Sequence, residues 1–145
     1  MSFQLPPIDK DSRSLRTELE TVVRDMSRFH KYEVGQVIRT QMRIVRNMVT
    51  QVWWEKDNKA HAVSVLVRAI DALKNDLQLA QDVRAFKSFP QFQMIYRKAE
   101  ALGRQAGGMQ RNLPHPKGQN AGDRRVCPQC AQILSTGAAS QGANA

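Results

Sequence analysis

Residues 58–83, NKAHAVSVLVRAIDALKNDLQLAQDV, decide the fold class of this chain. Within them Val63, Leu66, Ile70, Leu73, Leu77 and Ala80 recur at steps of three and four, a near-heptad stripe that an α-helix gathers on one face. Asp57 or Asn58 can cap its start. Upstream, residues 33–54 repeat the pattern with Val34, Ile38, Val45, Val49 and Val52. Their β-branched side chains suit a strand, but so long a stretch without a turn signal favours helix, because strands seldom exceed about ten residues. Residues 12–29 carry Leu15, Leu19, Val22, Met26 and Phe29 on one stripe, with Asp11 or Ser12 as N-cap. A last helix is announced by Ser88-Phe89-Pro90-Gln91, a capping-box spacing with proline in the first turn. It buries Phe92, Ile95, Ala99, Leu102 and Ala106 and is expected to stop at Gly107-Gly108. Four such helices with short connections predict an all-α fold, an antiparallel up-down four-helix bundle.

Around this body, composition changes. Residues 1–11 read as an N-terminal extension, 12–110 as the bundle, and 111–145, rich in Pro, Gly, Ala, Gln, Ser and Asn, as a flexible, mostly disordered basic tail. The 145 residues are one domain's worth, and hydrophobic residues at 41% allow a modest core. No apolar run exceeds three residues, far short of the roughly 18 needed to span a membrane. The first ten residues do not read as a signal peptide, so a cytoplasmic location is expected. Two cysteines, Cys127 and Cys130, are too few for a secreted disulfide scaffold.

The charge is +9 with a pI near 10.2, which points to a polyanionic partner. Residues 1–110 hold eighteen basic and twelve acidic residues, so this expectation does not hang on the tail. At about 100° per residue, Arg39, Arg43, Arg46 and Thr50 fall on one face of the second helix, roughly opposite its apolar stripe. No acidic residue between Glu33 and Glu55 offsets the three guanidiniums, whose planar donors match phosphate oxygens. The same pattern also fits an ordinary solvated helix face. On the last helix Arg97, Arg104 and Arg111 recur every seven residues and form a second basic line, flanked by Lys98. With Lys31, these arginines are the candidate nucleic-acid contacts, made to phosphates rather than to bases. Trp53 and Trp54 could stack on unpaired bases, although such a pair more often closes one end of a bundle or buries in a subunit contact.

Cys127-Pro-Gln-Cys130 has the spacing of half a zinc site, with His115 as a distant third ligand. Zinc wants four ligands, and no second CxxC exists, so a complete site would need a ligand from a partner; the pair reads first as two solvent-exposed thiols with no cofactor, and zinc is the alternative. His30 and His61 stand at helix ends and read as structural. No phosphate-cradling GxxxxGK[ST], GxSxG or HExxH occurs, and the carboxylates Asp71, Asp76 and Asp82 lie among Arg68, Lys74 and Arg84. The chain does not read as an enzyme.

Three stretches resemble a known family. Phe29-His30-Lys31-Tyr32-Glu33-Val34-Gly35 is similar to the FPKxxRxxLG segment of the accessory variability determinant (Avd) proteins of diversity-generating retroelements. The run 73–82, LKNDLQLAQD, is similar to that family's LExLRxxLRLAKDL, and 102–108, LGRQAGG, to its IGRMLGGW ending, although Met109 stands where the family commonly has Trp and His30 where it has Pro. The resemblance covers residues 15–110. It implies a homopentamer of four-helix protomers that binds a reverse transcriptase and its RNA template, and the RNA–DNA hybrid made from it, without polymerase activity of its own. The other reading of the residues is a four-helix-bundle protein-interaction module whose nucleic-acid affinity is incidental to its charge.

Overall fold

The computed structural model describes residues 6–113, which form helices α1 (Pro7–Asp25), α2 (Arg28–Tyr32), α3 (Val34–Trp54), α4 (Lys59–Asp82) and α5 (Phe89–Asn112). Among the described residues there is no strand. The four long helices are a bundle, and α2 is a short link between α1 and α3. Glu20 meets Arg39 while Asp9 meets Arg46, so α1 and α3 run in opposite directions. Glu18 with Lys98 and Asp11 with Gln105 set α5 antiparallel to α1 in the same way. Contacts run round the ring α1, α3, α4, α5 and back to α1, which leaves α3 and α5 at opposite corners.

The core follows the apolar periodicity except at Phe29, which is exposed, and Val34, which is half-buried. All six stripe positions of α4, from Val63 to Ala80, are fully buried, as are Leu15, Ile38, Val45, Ile95 and Leu102. Each large aliphatic side chain removed from water in this way contributes about 1.5–3 kcal/mol. Ser88 accepts a hydrogen bond from the Gln91 amide (3.4 Å), and Gln91 Oε1 accepts from the Lys87 amide (3.1 Å), so the capping box forms with its return bond one residue early. Between α4 and α5 the chain turns on Arg84, at φ 57°, with Ala85 N–H bonded to Ala80 O (2.8 Å) and Arg84 N–H to Gln81 O (3.0 Å). That is a Schellman stop made without glycine, which is why no Gly marks it in the sequence.

Three boundaries differ from expectation. First, α1 starts at Pro7, not near residue 12. Proline at the first helical position forgoes a hydrogen bond no helix could offer, and Ile8 and Asp9, buried at 3% and 5% exposure, tie that turn to the core. Asp11 and Ser12 are therefore inside the helix rather than capping it. Second, the chain turns extended at Met26, which resets the helical phase, so Phe29 falls on α2 and is 69% exposed instead of joining the stripe. Third, α5 runs through Gly107-Gly108 to Asn112. Two glycines cost about 2 kcal/mol of helix propensity, offset downstream by Met109 and Leu113 packing on the core and by Gln110 bonding Ser64 Oγ at 3.1 Å.

Candidate nucleic-acid interface

On α1 the side opposite Leu15, Leu19 and Val22 carries Arg13, Arg16, Thr17, Glu20, Thr21 and Arg24. With Arg46 of α3 these line a groove of about 520 Å³ between the two helices. Arg39, Arg43 and Arg46 occupy successive turns of α3 on one face, as the angular reading groups them, but that face turns towards α1 rather than away from the core: Arg39 reaches Glu20, and Arg46 is largely buried against Asp9.

Their electrostatic state is a correction to that reading. Arg39 is clasped by both oxygens of Glu20, Nε to Oε2 at 3.0 Å and Nη2 to Oε1 at 2.5 Å. Arg46 is largely buried, its side chain 13% exposed, and donates through Nη1 to Asp9 Oδ1 (2.8 Å), Ser12 Oγ (2.7 Å) and the Asp9 carbonyl (3.4 Å). Arg13 Nε lies 2.9 Å from Asp9 Oδ2 on the other side of the same carboxylate. The neutralising acids that α3 lacks thus arrive from α1. A guanidinium as buried as Arg46 must be paired, because an isolated buried charge costs several kcal/mol. Arg43, between the two clasped arginines, is exposed.

Four guanidiniums line the groove, Arg13, Arg16, Arg24 and Arg46, against one carboxylate, Glu20; Arg39 and Asp9 join its walls through their ion pairs, and Arg43 stands exposed on the same face of α3. The surface is therefore basic through Arg16, Arg24 and Arg43, with Arg13 half shared. Glu20 on the groove wall repels an anion that enters deeply, which suits phosphates bound along the rim. Arg13, Arg16 and Arg24 escape a search for arginine runs because Glu18, Glu20 and Asp25 dilute them in sequence. Their signal is the spacing 13, 16, 20 and 24, a polar stripe facing away from Leu15 and Leu19.

The second predicted line, Arg97, Arg104 and Arg111, is exposed along the outer edge of α5. Since α3 and α5 lie at opposite corners, the two lines point to opposite sides and make no common surface. Lys98 turns towards α1 and pairs with Glu18. Lys31 sits half-buried on α2, outside the groove. Cys127, Cys130 and His115 lie outside the described residues. Among the described residues no group of three or more His, Cys, Asp or Glu side chains is placed to hold a metal ion, and no helix is long and apolar enough to cross a membrane.

No family model, curated protein or solved structure matches the chain. The functional reading therefore rests on the groove, the charge and the stretches quoted above.

Proposed function

We propose that this protein is a nucleic-acid-binding helical bundle that serves, without catalysis of its own, as an accessory subunit of a diversity-generating retroelement reverse transcriptase. It holds template RNA, or the RNA–DNA hybrid, by the phosphates while the polymerase does the chemistry in the cytoplasm. The observation that carries nucleic-acid binding is the excess of guanidiniums over carboxylates along the α1–α3 groove. The resemblance at 29–35, 73–82 and 102–108 supports the retroelement setting and a homopentameric assembly.

Binding of this kind releases counterions, so affinity falls with salt. With about three phosphates neutralised per protomer, the slope of log affinity against log salt is expected near −2 to −3. The variant Arg16→Glu/Arg24→Glu/Arg43→Glu leaves both clasped arginines in place. It should weaken binding of a structured template RNA at least about tenfold and flatten that slope. Fluorescence anisotropy across a salt series reads both. Equal affinity and equal slope in the variant would remove the groove from the account.

One feature favours the protein-interaction reading. Where α3 begins and α4 ends, Val34, Val37 and Leu79 line an apolar hollow of about 340 Å³ flanked by Glu33 and Asp76. Burial pushes the Asp76 carboxyl above the usual carboxylate range. An acid-flanked apolar hollow repels nucleic acid and suits a protein segment. If this surface carries the function, a co-purifying partner stays bound through nuclease digestion and is lost in Leu79→Glu, and dependence on nucleic acid decides against it.

A further inference from the structure

Arg13 borders two hollows at once. Besides the α1–α3 groove it lines, with Pro6, Asp9, Thr50, Trp53 and Trp54, a depression of about 170 Å³ where α1 begins and α3 ends. The basic groove thus runs into an aromatic site at the end of the bundle. Trp54 is 66% exposed and Trp53 40%, and these are the chain's two tryptophans. Large indole surface in water carries a solvation cost that a stacked ring removes. A cationic track that ends on exposed aromatic rings is the arrangement by which proteins hold unpaired strands: phosphates on the cations, bases on the rings.

Resting on the nucleic-acid reading above, we propose that the strand bound here is single. Its phosphates follow Arg24, Arg16 and Arg13, a path of about 16 Å along α1, and one base stacks on Trp54. A duplex offers the same phosphates, but its bases are stacked on one another and, away from its two ends, present no ring face to the indole. Asp9 does not repel the strand at this point, because Arg46 and Arg13 hold its carboxylate from both sides.

The test uses the full chain and three probes of equal length: an oligouridylate of about twelve nucleotides, the same strand with abasic sites, and a blunt duplex. Both tryptophans lie at the proposed site, so intrinsic emission reports on it directly. The oligouridylate should quench that emission saturably. Trp54→Ala should weaken its binding about tenfold, Trp54→Phe should keep most of it, and duplex affinity should stay within about twofold in both. The unchanged duplex affinity also shows that the variants are folded. The abasic strand should bind wild type about as weakly as the oligouridylate binds Trp54→Ala. Stacking is overturned if Trp54→Ala or the abasic strand binds like its parent while Arg16→Glu/Arg24→Glu/Arg43→Glu still loses affinity, an outcome that leaves phosphate binding standing. Absence of binding by all three probes overturns both readings.

Discussion

Replacing Asp9 with alanine is expected to lower the folding stability by about 3 kcal/mol, read as a shift in the urea midpoint at unchanged slope. The cost does not come from the aspartate's own packing. Its carboxylate, with a side chain only 7% exposed, is the counter-charge of Arg46, which is almost as enclosed. Once it is gone, Arg46 keeps a hydroxyl and a carbonyl as partners and no negative charge. Glu20→Ala removes a geometrically better clasp from Arg39 but should cost under about 1 kcal/mol, because that pair is 35% and 45% exposed and water replaces the lost partner. Asp9→Leu/Arg46→Met should recover most of the loss, since an apolar pair of similar volume needs no compensation. A cost below about 1 kcal/mol for Asp9→Ala would mean that Arg46 finds solvent, and that the N-terminal turn of α1 is not held by this network.

The second large effect is at Gly35. A Cβ built there comes 2.7 Å from Val23 Cγ1, closer than real side chains approach. Val23 is fully buried in α1 and β-branched, so it cannot swing aside, and α1 and α3 must separate instead. Gly35→Ala is expected to destabilise by about 2 kcal/mol despite the better helix propensity of alanine. Gly103→Ala supplies the contrast: its Cβ would meet Ile70 Cγ2 at 3.6 Å and the tip of Lys74 at 3.8 Å, ordinary contacts. That change should be neutral or stabilising by up to about 1 kcal/mol. Paired thermal melts distinguish the positions, and equal behaviour would show that the α1–α3 approach yields to a methyl group.

Where sequence and structure agree, a local signal is present. The ends of α3 and α4 fall within one residue of expectation because an unbroken apolar stripe fixes their length, and Ser88 with Gln91 sets the start of α5. The misplaced boundaries are those where a local signal loses to a distant contact. Gly107-Gly108 reads as a stop, but Met109 and Leu113 find the core beyond it, and residues 1–11 read as an extension outside the bundle, but Asp9 finds Arg46. The site shows the same division. That Arg39, Arg43 and Arg46 share a face follows from helical geometry, whereas the carboxylates that clasp two of them stand 19 and 37 residues earlier, and only the bundle brings them close. Arg13, Arg16 and Arg24 gain meaning once α1 is known to lie beside α3.

The two clasps also fix how α1 is threaded against α3. Apolar seams of alternating Val, Leu and Ile fit almost as well when one helix slides by a turn. Here a slide of four residues in one direction sets Arg13 opposite Arg46 and Arg24 opposite Arg39, and a slide the other way sets Arg16 opposite Arg39. Each of these two misaligned bundles exchanges attraction for repulsion between guanidiniums, so the arginines that make the groove basic also penalise a one-turn slip in either direction between the helices that form it.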